Sequence, residues 1–104
     1  MYQDVNGYLW SGGFGGLSRF DGKTFLNYNL KNGLIDHKVN AISADDKGAL
    51  FIGTSKGVSI LKNRKFYNYG KEQGLASLFV TSFCKGYHHS MYIGTVKGLF
   101  MFKD

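Results

Sequence analysis

Shifted against itself by 41 residues, the chain brings its punctuation into register without a gap. Asp4 falls on Asp45, Gly7 on Gly48, Leu9 on Leu50, Trp10 on Phe51, Gly12 on Gly53 and Gly16 on Gly57. Downstream, Ser18 meets Ser59, Phe25 meets Phe66, Asn27-Tyr28 meets Asn68-Tyr69, and Gly33-Leu34 meets Gly74-Leu75. A second shift of 41 lays FIGTSKGVSILK (51–62) on YIGTVKGLFMFK (92–103), with Val39 and Ile42 on Val80 and Phe83. Self-similarity at a fixed period of about 40–50 residues marks one supersecondary unit copied and stacked, so the fold follows from what a single unit is. Three copies occupy about 1–37, 38–78 and 79–104, the outer two incomplete.

Inside the unit the periodicity is short. Four runs rich in Val, Ile, Phe, Tyr and Leu, at 38–44, 49–54, 57–62 and 65–69, are separated by the turn-forming stretches DDKG, SKG and KNR. The longest segment between runs, GKEQGLASL, is too short and too broken by glycine for more than one helical turn. A four-stranded antiparallel unit repeated at this period is the blade of a β-propeller, whose blades pack face to face around an axis. Both faces of such a blade are covered, which explains why ALFI and VSIL are nearly continuous apolar runs instead of strict alternations. The fold class expected is therefore all-β: a propeller segment of about two and a half four-stranded antiparallel blades, an incomplete ring. Three, four and three strands, ten in all, are expected from the three copies.

The glycine cluster WSGGFGGL (10–17) has the look of a phosphate loop, but GGFGG occupies the place of GTSKG in the second copy and GTVKG in the third. It is the turn between the second and third strands of a blade. A phosphate loop needs a Lys-Ser/Thr pair or a glycine fingerprint that opens a helix, and neither follows. The structural motif of the repeat is carried by Asp4, Gly7, Trp10, Gly12 and Gly16, then by Asp45, Gly48, Phe51, Gly53 and Gly57, and last by Tyr92, Gly94 and Gly98.

The phrases D-x-x-G-x-L-W from Asp4, F-I-G-T-S-K-G-V from Phe51, and F-x-x-Y followed by G-L (Phe66, Tyr69, Gly74, Leu75) resemble the two-component regulator propeller repeat along the whole chain. The resemblance implies a large propeller in the extracytoplasmic part of a bacterial hybrid sensor. There it commonly precedes a YYY-type β-sandwich, a transmembrane helix and a histidine kinase, and the signals sensed are often oligosaccharides. The chain departs from the pattern where Ile35 and Ala76 replace the proline that often follows Gly-Leu, and where KGYHHS replaces an Asp-x-x-Gly turn. The sialidase Asp box is a poorer match, because Asp4 and Gly7 stand one residue too far apart.

Composition narrows the chemistry. The formal net charge is +6, yet the lysines are scattered beside Gly, Asn and Asp rather than gathered in a run, so they read as solvated turn residues and no nucleic-acid partner is expected. No apolar stretch of about 18 residues exists, so no membrane contact by this segment is expected, and the start MYQDVNG has no signal-peptide pattern. The one cysteine, Cys84, reads from its neighbours Val80 and Phe83 as a buried small residue. His88 and His89 are adjacent and would point apart, so no metal is expected. Asp36, His37 and Ser43 do not isolate a triad, and Asp4, Asp45 and Asp46 fall in the repeated turn where they cap backbone. No catalytic residue and no cofactor are assigned.

Ligands of propellers gather at one end of the channel, where the turns between strands two and three meet the linkers between blades. On this reading Phe14, Gly15, Lys56 and Lys97 share that end with Lys31, Asn32, Asp36, His37, Lys71 and Gln73. Phe14, Lys56, Lys97, Asp36, His37 and Lys71 are the candidate ligand-binding residues, and an acidic sugar or a partner's carboxylates would suit the lysines. The end blades would each leave an apolar face bare, so the expected partners are further blades of the same chain or a second copy. The function expected is ligand sensing without catalysis in an extracytoplasmic, periplasmic setting. A free-standing lectin or interaction scaffold, or a fragment of a propeller lyase or glycosidase, are the alternatives.

Overall fold

Each repeat folds into its own antiparallel sheet, because every pair of neighbouring apolar runs is joined by a turn short enough to form a hairpin. The computed structural model describes residues 1–70, 79–86 and 90–103, with eleven strands in three sheets among them. The first sheet holds β1 (Tyr2–Gln3), β2 (Leu9–Gly13), β3 (Gly16–Phe20) and β4 (Phe25–Tyr28) in that spatial order. The second holds β5 (Val39–Ala44), β6 (Leu50–Thr54), β7 (Gly57–Lys62) and β8 (Lys65–Tyr69), and the third β9 (Val80–Lys85), β10 (Ser90–Thr95) and β11 (Gly98–Lys103). The all-β propeller architecture read from the repeat is thus the one observed. The strand count is corrected from ten to eleven, because Tyr2 and Gln3 pair with Trp10 and Leu9 and complete the first sheet.

The hairpin that captures those two residues is closed by Asp4. Its Oδ1 accepts the backbone N–H groups of Asn6 (2.9 Å) and Tyr8 (3.0 Å), and its Oδ2 accepts the Trp10 indole N–H (2.9 Å). Asp45 repeats the first half of this arrangement, accepting from Lys47 and Ala49 at 2.9 Å each. A short carboxylate at the head of a turn supplies the acceptor that the turn's own backbone lacks. At the same end of the blades, Asp21 accepts from Thr24 and Lys23. Those two backbone bonds, Thr24 first, hold its carboxyl below the ordinary carboxylate range.

The turn between β7 and β8 has two residues, Asn63 and Arg64, with Lys62 paired to Lys65 across it. Both central residues have positive φ, 52° and 65°, as the mirror-image turn of a tight hairpin demands. Arginine is strained in that conformation. Arg64→Gly is expected to raise unfolding stability by about 1 kcal/mol, read from a denaturation curve with unchanged slope.

Packing between sheets makes two cores. Trp10 and Leu17 of the first sheet meet Val39, Leu50 and Ile52 of the second, with Leu34 of the linker beside them. Phe51, Val58 and Ile60 of the second meet Val80, Met91 and Ile93 of the third. Alternate residues of β6 therefore serve opposite cores, and this strand is wet on neither face. The close approach depends on glycine. A Cβ on Gly12 would collide with the Val39 side chain, and one on Gly53 would collide with Val80, the same contact 41 residues later.

The linker between the first two sheets is fixed from both sides. Asn29 caps a single 3₁₀ turn at Leu30–Asn32, and Gly33 ends it at φ 106°. Beyond it, Ser59 Oγ accepts the Ile35 N–H (2.9 Å) and donates to Asn68 Oδ1 (2.7 Å), while Asn68 Nδ2 donates to the Gly33 carbonyl (2.8 Å). Ser18 and Asn27 form the equivalent pair at 2.8 Å in the first sheet.

Cys84 corrects a second expectation: it is exposed, not buried. It lies opposite Tyr92 in the β9–β10 ladder, on the face of the third sheet turned away from the second, whereas Phe83 packs into the core. Strand alternation puts neighbours on opposite faces, so an apolar neighbour in sequence predicts the wrong side.

Candidate functional site

The turns after β2, β6 and β10 and the segments entering β5 and β9 lie at one end of the sheets. Ser55 N–H donates to the Lys38 carbonyl and Val96 N–H to the Phe79 carbonyl, each at 3.3 Å and 41 residues apart. Two of the turns are closed by threonine. Thr54 Oγ1 donates to the Gly57 carbonyl (2.9 Å) and accepts the Lys56 N–H (3.1 Å). Thr95 does the same with Gly98 (2.9 Å) and Lys97 (3.2 Å). These bonds hold Lys56 and Lys97 as exposed tips on successive blades. In the first copy Gly13 stands at the threonine position, and the tip carries Phe14 instead.

Phe14 is exposed, and its ring faces a cation. The Lys38 ammonium lies 5.2 Å from the centroid of Phe14 and 5.2 Å from that of Phe79, so three consecutive blades contribute to one group. An ammonium held over a ring face is drawn by the ring quadrupole, which fixes a long, mobile side chain in place. Asp36 is buried in the linker below, with its Oδ1 3.4 Å from Nδ1 of the exposed His37. The structure brings Phe14 to Lys38 and Asp36 to His37, and sets Lys56 and Lys97 along the rim. Lys71 and Gln73 lie outside the described residues, as do His88 and His89.

Lys38 and Phe79 are the members that the sequence reading did not single out. Their signal was present: they occupy the same repeat position, directly before the first strand of a blade. Among the described residues no cluster of three His, Cys, Asp or Glu side chains is placed to hold a metal ion. Two clefts between sheets among the described residues, about 410 and 520 Å³, open at the opposite end, beside Asp45 and Asn63. They are seams between splaying sheets, walled by Phe51, Tyr69 and Phe102 in one and by Trp10, Leu50 and Leu61 in the other.

An all-β array of propeller blades, with aromatic and basic side chains collected at its linker end, is the class of protein these features define. No protein-family profile and no curated protein matches the chain. Among solved structures, the chain is similar to the extracellular domain of BT3049 from B. thetaiotaomicron, a protein assigned to the hybrid two-component systems. The TM-score is 0.88 at 25% sequence identity, over 98% of this chain and 15% of that one. The chain thus spans a small part of the length of the protein it matches. Among the described residues no helix is long and apolar enough to cross a membrane.

Proposed function

We propose that the chain is a ligand-sensing blade array from the extracytoplasmic part of a bacterial two-component sensor, itself without catalytic activity. The observation that carries this reading is the match to a sensor's extracellular domain over 98% of the chain. The ligand is an acidic oligosaccharide received at the linker end. The exposed faces of Phe14 and Phe79 offer surfaces on which the C–H face of a sugar ring stacks, and the ammonium groups of Lys38, Lys56 and Lys97 offer partners for carboxylate or sulfate. Asp36 and His37 shape the floor between the first two blades.

Binding of uronate-containing and sulfated oligosaccharides to the immobilised chain tests this. Phe14→Ala and Lys38→Ala are each expected to weaken binding by about tenfold, because each removes both its own contact and the support of the other. Added salt weakens the wild-type interaction, as exposed ion pairs require. Silence toward both acidic and neutral glycans, with the fold intact, overturns the oligosaccharide assignment.

A further inference from the structure

The repeat sets each wall of one seam between sheets against its counterpart in the other. In the seam between the first and second sheets, Tyr8 packs against the core, and the Arg19 guanidinium lies over its ring, 4.5 Å from the centroid. Arg19 Nε is buried there without a hydrogen-bond partner, so packing and the ring face hold the group in place. Forty-one residues on, Tyr8 becomes Ala49 and Arg19 becomes Ile60. The seam between the second and third sheets therefore lacks this plug, and the cleft of about 410 Å³ opens where it would sit, lined by Ala49 and Ile60. The cleft of the first seam, by contrast, is lined by neither Tyr8 nor Arg19. Tyr67 and Phe102 are larger than their counterparts Leu26 and Leu61, yet with Phe51 and Tyr69 they wall the space instead of filling it.

The mouth of this cleft carries charge of both signs. Asp4 uses its Oδ2 to accept the Trp10 indole N–H. Phe51 stands at the tryptophan position in the second repeat and has no N–H to give, so that bond is missing from Asp45, which lines the cleft. Lys62 lines it too, where the first repeat has Asp21. One carboxylate and one ammonium beside an aromatic-walled space complement a molecule that joins a ring to an ammonium and a carboxylate.

We propose that the cleft between the second and third sheets is a binding site for a free aromatic amino acid. Its ring takes the place that Tyr8 fills in the first seam, stacked among Phe51, Tyr67, Tyr69 and Phe102. Its ammonium meets Asp45 and its carboxylate meets Lys62. Space is sufficient, since an apolar cavity of about 150 Å³ already holds benzene and small-molecule sites begin near about 300 Å³. The site lies at the end of the blades opposite Phe14 and Lys38, and shares no residue with the group described there.

Isothermal titration calorimetry of the chain with L-phenylalanine tests this, and one site saturating in the millimolar range or below is expected. 2-Phenylethylamine, which lacks the carboxylate, and 3-phenylpropionate, which lacks the ammonium, each bind about two- to fivefold more weakly. Asp45→Asn keeps an oxygen for the turn but loses the charge, so it weakens phenylalanine and phenylethylamine and leaves phenylpropionate unchanged. Lys62→Gln does the converse. Ala49→Tyr supplies the plug of the first seam and abolishes binding, while Tyr67→Ala, on a half-exposed wall, weakens it about fivefold. Circular dichroism shows that each variant is folded, and Tyr67→Ala carries the test if Ala49→Tyr is not. Phe14→Ala, at the other end of the blades, leaves phenylalanine binding unchanged, which separates this site from the sensing reading. No saturable binding of phenylalanine overturns the site, as does binding that persists undiminished in both folded Ala49→Tyr and Tyr67→Ala. Equal affinity for the three ligands, unmoved by Asp45→Asn and Lys62→Gln, overturns the amino-acid assignment.

Discussion

Replacing Phe51 by alanine is expected to destabilise the chain by about 3–5 kcal/mol, the range found when a large aromatic side chain is removed from a packed interior. The Phe51 ring meets Phe83 and Phe102 edge to face, with centroids 5.9 and 5.5 Å away, and it is among the largest fully buried side chains. Both partners belong to the neighbouring sheet, so collapse around the cavity would require two sheets to move together, and relaxation is small. Against a total stability of about 5–15 kcal/mol, the loss brings thermal unfolding down by more than about 12 °C. Differential scanning calorimetry on wild type and variant checks this. Tyr92→Ala, at the same repeat position on the uncovered face, provides the contrast: in dilute solution it should cost under about 1 kcal/mol. Equal effects at the two positions would show that stability comes from each sheet separately rather than from the contact between sheets.

Gly53→Ala is expected to cost about 1–3 kcal/mol even though alanine is the smallest possible addition. The new methyl would stand inside contact distance of Val80, a fully buried side chain with one preferred rotamer, so the second and third sheets must be pushed apart. The test is a double-mutant cycle. Val80→Ala alone leaves a cavity and destabilises, but combined with Gly53→Ala it restores part of the lost stability, because the methyl group moves from one sheet to the other. A coupling energy of about 1 kcal/mol or more in the stabilising direction is the expected result, and additivity within about 0.5 kcal/mol contradicts the socket. Gly12 and Val39, the same pair one repeat earlier, should behave alike.

How far the site could be read from sequence depends on which residue is considered. Phe14, Lys56 and Lys97 were legible because the repeat fixes the turn after the second strand, and a turn tip projects into solvent wherever its blade sits. For Lys38 the repeat position could be read but the contact could not, because its partners Phe14 and Phe79 lie 24 and 41 residues away and belong to different blades. No local pattern carries that distance. Cys84 was misread because its apolar neighbour Phe83 points to the opposite face of the strand, so the burial of one carries nothing about the other.

The sequence by itself determined the period of 41, the succession of strands and tight turns, the glycines that let blades approach, and which residues share a face. Those properties depend on backbone geometry and on the two-residue alternation of a strand, both of which are local. Only the tertiary structure decided which of the equivalent positions are covered. Val58 and Leu99 occupy one repeat position, and one is buried while the other is exposed. Burial belongs to the pair of surfaces in contact, and whether a blade has a neighbour is written nowhere within the blade.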